Sequence, residues 1–139
     1  MANRKHGKCA CGNIEYSYEG DPINIAFCYC KDCQVHTGSD KYFALWAPKD
    51  SLQVDKGEPA VFTRLGDSGK PMHHHFCKDC GVTVYIDVTV VNMVSIAAVT
   101  LDDSENLEPA MAIYTASAPK WAILPEGIPH FEKLPPGIG

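Results

Sequence analysis

Seven cysteines are the residues of this chain whose spacing most plainly implies chemistry, and they fall into three clusters. These are "CAC" (Cys9, Cys11), "CYCKDC" (Cys28, Cys30, Cys33) and "CKDC" (Cys77, Cys80). A Cys-x-x-Cys in a tight turn aims two sulfurs at one point, and a Cys-x-Cys does so from one face of an extended segment. Gly12 and Gly81 each follow a cluster, where a turn closing over sulfur needs a permissive backbone. An odd number cannot pair completely as disulfides within one chain. In a reducing compartment, close-set cysteines serve as metal ligands or as reagents. Clusters of this kind in a chain of 139 residues are a zinc signal.

Two partitions are open. Cys30, Cys33, Cys77 and Cys80 could form an ordinary zinc ribbon, leaving Cys9, Cys11 and Cys28 over. Alternatively, Cys9, Cys11, Cys77 and Cys80 form a closed four-sulfur site, and Cys28, Cys30 and Cys33 a three-sulfur site with one place free. Spacing does not choose between them. Counting favours the second, which uses every cysteine and gives the odd number a reason.

Five stretches in order, "GKCACGNIEY", "CYCKDCQVHTGS", "FCKDCG", "YTASAPKW" and "GIPHF", resemble the glutathione-dependent formaldehyde-activating enzyme family, whose wider group includes the centromere protein V domain. The resemblance runs from Gly7 to about Pro135. It implies a mainly β, Mss4-like zinc-binding β-sheet fold with little helix, and two Zn2+ per chain. It also implies that Cys9, Cys11, Cys77 and Cys80 hold a structural zinc, while Cys28, Cys30 and Cys33 hold a catalytic one. The implied activity is that of a carbon–sulfur lyase that joins glutathione and formaldehyde reversibly as S-hydroxymethylglutathione.

An open three-sulfur zinc suits that chemistry. A catalytic zinc keeps three protein ligands and leaves the fourth place to water or substrate. Three thiolates make the metal a poorer Lewis acid than three imidazoles do, so its water ionises less readily than the ~7 of a three-histidine site. Soft surroundings favour an incoming sulfur, bound as the nucleophilic thiolate. A small-molecule thiol such as glutathione is therefore the expected partner. The competing reading is a non-catalytic, zinc-stabilised binding or thiol-carrier module, and Arg4 and Arg64 are the only arginines available for the carboxylates of glutathione.

The thiol proton must leave and the developing alkoxide must gain one. Candidates near the cluster are His36 and Tyr29, with His73, His74 and His75 entering the strand before Cys77. For His36 the plainer reading, a surface loop histidine, is favoured over a proton shuttle. On a strand His73 and His75 share a face and His74 points away, so an alternating polar strand explains the run without metal. Gly38 and Ser39 of "HTGS" could offer amides to a substrate carboxylate as a small anion nest, or simply end the turn. Trp46 and Trp121 read as packing residues, and Lys31 and Asp32 as solvent-facing charges.

The elements that must carry these residues are short apolar or alternating runs separated by Gly, Pro, Asp and Asn, the pattern of a β fold. Strands are expected at 14–18, 23–27, 42–47, 52–55, 61–64, 73–76, 82–87, 93–99 and 111–114. The turn signals are "EGDP", "DKGEP", "GDSGKP" and "DDSENLEP". One helical turn is expected after Cys30 and another at "PKDS". No linker divides the chain, so residues 1–139 read as a single domain, with 109–139 an ordered C-terminal wrap keeping Trp121, Leu124 and Phe131. A net charge of −5 with scattered Lys and Arg argues against nucleic acid. No apolar run approaches a membrane span, and "MANRKHGKCACG" lacks the apolar core of a signal peptide, so a cytoplasmic protein is expected. Oligomeric state leaves no mark in such a pattern.

Overall fold

Alternation along the central strands sends one set of apolar side chains to each face of a seven-stranded sheet. The computed structural model describes residues 4–136. Its strands are β1 (Arg4–Lys8), β2 (Glu15–Glu19), β3 (Asn24–Cys28), β4 (Tyr42–Pro48), β5 (Leu52–Lys56), β6 (Ala60–Leu65), β7 (Pro71–Phe76), β8 (Thr83–Val88), β9 (Met93–Ala97) and β10 (Met111–Ile113), with one α-helix, α1 (Lys31–Thr37), and a few single 3₁₀ turns. The fold is mainly β, as the sequence implies.

The large sheet runs β10-β3-β4-β9-β8-β7-β6 and the small one β1-β2-β5. Every pairing is antiparallel except β10 beside β3. Leu45, Ala47, Val94 and Ile96 face the small sheet, where Tyr16 and Tyr18 complete one core cluster. Ala44, Trp46, Ile86, Val88 and Met93 face the other way, into a second cluster closed by Met111, Ile113 and, partly, Phe131 and Leu134. The chain after β10 returns over it: Ala112 N–H donates to the Pro129 carbonyl and Phe131 N–H to the Ala112 carbonyl, each at 2.9 Å. Among the described residues no helix is long and apolar enough to cross a membrane.

Three details depart from expectation. β1, "RKHGK", has no apolar alternation and is a strand because Gly7 sits opposite Tyr16, whose ring folds over it. Helix α1 runs to Thr37 rather than one turn, because Cys30 caps its start and Gly38, at φ 70°, ends it. Trp121, expected in packing, is 69% exposed, whereas Trp46 is buried in the sheet.

Candidate metal centres and their cavity

The tips of the β1–β2 and β7–β8 hairpins are built alike. Cys9 N–H donates to the Ile14 carbonyl at 3.0 Å, and Cys77 N–H to the Val82 carbonyl at 2.9 Å. Gly12 and Gly81 both take φ 79°, the left-handed region where a side chain is strained. Asn13 Nδ2 donates to Asp79 Oδ2 at 3.0 Å and links the two tips. The Sγ atoms of Cys9, Cys11, Cys77 and Cys80 consequently lie within 4.8 Å of one another. Cys9 to Cys11 and Cys11 to Cys77 are both 3.7 Å. A tetrahedral zinc at about 2.3 Å from each sulfur holds them roughly 3.8 Å apart, so this set fits zinc. Amides support the thiolate form: Ile14 N–H donates to Cys9 Sγ at 3.3 Å, and the Val82 and Cys11 amides hold the Cys80 thiol down to about 6.

The remaining three cysteines come from one contiguous segment. Cys28 ends β3, Cys30 caps α1 and Cys33 lies in the helix's first turn. Cys30 Sγ accepts from Cys33 N–H at 3.2 Å, taking the place that a serine or aspartate oxygen holds in most caps. Cys33 Sγ is 2.8 Å from that of Cys30 and 3.4 Å from that of Cys28. Three thiols this close cannot all ionise unaided. Hydrogen bonds from Cys28 and Cys33 hold Cys30 down to about 3; hydrogen bonding to Cys30 pushes Cys28 up to about 12, and Cys28 and Cys30 push Cys33 well above its usual range. Such a set becomes a triple thiolate only around a cation, and sulfur donors select zinc and other soft or borderline metals.

The two sulfur groups differ in what they face. Cys28, Cys30 and Cys33 line a cavity of about 600 Å³, within the range that takes a small ligand. Trp46, Ile86, Val88 and Met93 floor it from the sheet, while Arg64, Tyr114 and Lys133 bring polar groups to its wall. Cys9, Cys11 and Cys77 line neither this cavity nor the neighbouring hollow of about 630 Å³, which Cys80 touches. Tyr114 holds φ 54°, a left-handed conformation strained for a bulky residue. Burial, followed by the charges of Asp67, Cys28 and Cys30, pushes its phenol up to about 12.

A sequence model described as glutathione-dependent formaldehyde-activating enzyme matches residues 4–117. The chain belongs to that family. No curated protein matches it in sequence. A crystal structure of a Rhodobacter sphaeroides protein, a structural-genomics target, superposes with a TM-score of 0.56 at 19% identity, covering 75% of this chain and 91% of that one. At that identity the likeness concerns the fold alone.

Within this member of the formaldehyde-activating family the sulfurs group as four and three, not as a ribbon with three left over. The other expected site residues stand elsewhere. His36 is exposed, its ring 4.4 Å from that of His74 and 5.7 Å from that of Phe62, and it lines the neighbouring hollow with Ser39. Gly38 N–H is spent on the Gln34 carbonyl at 2.9 Å and Ser39 N–H on Thr37 Oγ1 at 3.2 Å, so neither amide is free for an anion. Tyr29 is fully buried, its hydroxyl without a hydrogen-bond partner among the described residues. His73 Nδ1 meets Thr63 Oγ1 at 2.8 Å, and His75 stacks on Tyr85 at 4.3 Å between ring centres. His73 and His75 thus share the face away from the cavity, and His74 alone is buried. Arg64, Tyr114 and Lys133 reach the cavity from β6, from the end of β10 and from the tail. No local pattern in the sequence joins these three; only "YTASAPKW" singles out Tyr114.

Proposed function

We propose that the chain is a zinc-dependent carbon–sulfur lyase that adds a small-molecule thiol, of the glutathione type, to formaldehyde and releases it again. In this reading Cys9, Cys11, Cys77 and Cys80 hold a structural zinc, and Cys28, Cys30 and Cys33 hold the zinc at which the thiol sulfur docks. The observation that carries the reading is the contrast between the two groups: four sulfurs at tetrahedral spacing close on each other, while three open onto a cavity. Zinc in the three-sulfur site supplies the positive charge that keeps an incoming thiol ionised at neutral pH.

The chain's own residues supply the rest. Adding RSH to CH2O gives RSCH2OH: the S–H bond and the carbonyl π bond break, one carbon–sulfur bond forms, and the proton lost from sulfur is balanced by one gained at the oxygen. The apolar floor of Trp46, Ile86, Val88 and Met93 limits water around the reacting carbon, which restrains hydration of the aldehyde. Tyr114 Oη, kept protonated through neutral pH, is the donor on the cavity wall for the developing alkoxide, and it takes the proton back when the adduct is cleaved. A cytoplasmic setting, where small thiols are plentiful and cysteines stay reduced, accords with this chemistry.

The test is the rate of adduct formation from glutathione and formaldehyde, followed by loss of free thiol, with and without zinc-loaded protein. Acceleration that disappears in Cys30→Ser supports the reading. No acceleration at any zinc loading sinks it and leaves a zinc-held binding module.

A further inference from the structure

Gln34 follows Cys33 in α1, and the reaction above gives its side chain no part. Its Nε2 donates to the Tyr29 carbonyl at 2.9 Å and to the Ser117 carbonyl at 3.0 Å. Both partners can only accept, so the amide turns its nitrogen to them and spends one N–H on each. The two carbonyls belong to different parts of the molecule. Tyr29 lies between Cys28 and Cys30, inside the three-sulfur knuckle, whereas Ser117 ends the 3₁₀ turn Thr115–Ser117 that follows Tyr114. Tyr29 N–H reaches the other end of that segment, donating to the Ile113 carbonyl at 3.0 Å. One residue of the knuckle thus ties down both ends of the stretch that carries Tyr114: Ile113 directly, and Ser117 through the Gln34 side chain.

Tyr114, at φ 54°, occupies a region where a bulky residue stays only if its surroundings hold it. On one side the tail does so: Tyr114 N–H donates to the Lys133 carbonyl and Thr115 N–H to the Phe131 carbonyl, each at 3.1 Å. Ser117 N–H donates to the Tyr114 carbonyl at 3.1 Å, so a group that fixes Ser117 fixes the turn. The tail bonds hold Tyr114 to the rest of the fold, and the Gln34 bonds hold it to the sulfurs. The Ser117 bond lies at the surface, where water could serve both groups, so it adds little to stability. Water could not set a distance. A phenol that hands a proton to an alkoxide beside the sulfurs must stand within about 2.6–3.2 Å of it, and an error of about 1 Å can cost about a hundredfold in rate.

We propose that Gln34 is a positioning residue, a clasp between the three-sulfur knuckle and the turn after β10, which holds the Tyr114 phenol at its working distance from Cys28, Cys30 and Cys33. The inference rests on the lyase reading and on the place of Tyr114 in it.

The test joins steady-state kinetics of glutathione–formaldehyde adduct formation to hydrogen–deuterium exchange, both on zinc-loaded protein. Gln34→Met keeps the length and helix propensity of the side chain and removes both donors. It should keep its full zinc content and its KM for glutathione while kcat falls about tenfold, the reach of one to two net hydrogen bonds. Amides of residues 114–117 should exchange about tenfold faster, and those of 28–33 should keep their protection. Gln34→Glu, of the same shape but facing two carbonyls with acceptors, should lower kcat further. In a Tyr114→Phe background Gln34→Met should change kcat no more, because it acts through the phenol. A packing role would leave Gln34→Met as active as wild type, and a role apart from Tyr114 would lower kcat by the same factor in both backgrounds. Either result, a loss of zinc, or unchanged exchange at 114–117 overturns the inference alone. If wild type gives no acceleration, the lyase reading falls and this inference falls with it.

Discussion

The two sulfur groups should differ sharply in what they contribute to stability, and the difference can be worked from the chain separations they span. A metal that ties residues together restricts the unfolded chain as a cross-link does, by an entropy that grows with the loop it closes. Cys11 and Cys77 are 66 residues apart, whereas Cys28 and Cys33 are 5 apart; on the cross-link formula the first tie is worth about 4 kcal/mol and the second about 2. The first also joins hairpins of different sheets, and Cys77 is fully buried. The perturbation is therefore a pair of double variants, Cys77→Ser/Cys80→Ser and Cys30→Ser/Cys33→Ser, which remove two of four sulfurs from one site and two of three from the other. Equilibrium urea unfolding of the zinc-loaded proteins, at a slope of about 2 kcal/mol per M, should show midpoints lowered by about 2 M and about 1 M respectively. A loss of about 4 kcal/mol is a large part of the total stability of a domain of this kind, about 5–15 kcal/mol, so the first variant should be partly unfolded at 37 °C. Zinc content should fall from two per chain to one in each. Equal shifts, or a larger shift for Cys30→Ser/Cys33→Ser, would refute the assignment of a structural and an open site.

Three further outcomes follow from single residues. Tyr114→Phe should leave the unfolding free energy within about 0.5 kcal/mol of wild type and lower kcat for adduct formation by about a hundredfold with little change in KM, in keeping with loss of a general acid; an unchanged kcat removes Tyr114 from the reaction. Gly7→Ala should cost about 1–3 kcal/mol in thermal unfolding, because the new methyl would enter the Tyr16 ring that covers Gly7; a neutral result would mean that the ring moves freely. His74 is buried and neutral with a folded pKa of about 4, below its usual 6.5, so its contribution is present above 6.5 and is lost as pH falls towards 4. The difference in stability between wild type and His74→Gln should accordingly shift by up to about 3 kcal/mol across that window, and a difference independent of pH would mean that His74 is not held neutral.

The strands were legible wherever burial is decided locally. In β4 and β9 the residues that face the small sheet and those that face the cavity alternate, and both sets are mostly apolar, so what locates these strands is a short, nearly continuous apolar run bounded by turn signals. β1 was not, because its burial is lent by a partner: Gly7 has no side chain to signal anything, and the Tyr16 ring that covers it belongs to β2. The grouping of the cysteines as four and three was legible by counting, since seven sulfurs leave few tidy partitions. The cavity was not. Its wall draws Arg64, Met93, Tyr114 and Lys133 from distant parts of the chain, and only the strand order brings them to one face. His74 shows the limit well. Alternation separates it from His73 and His75, but its burial depends on Phe62, His36 and Arg64 from β6 and α1.

What distinguishes the two centres is therefore the way sulfur is delivered, since the ligand type is the same. Two hairpin tips facing each other could surround a metal from both sides, and four thiolates would carry twice the charge of a divalent ion. A single knuckle running from a strand end into a helix delivers three sulfurs from one side only, and the opposite side is left to the cavity. Three thiolates around a divalent ion would still leave one negative charge. Arg64, which lines the same cavity and whose charge helps to hold the Cys30 thiol down, would offset it.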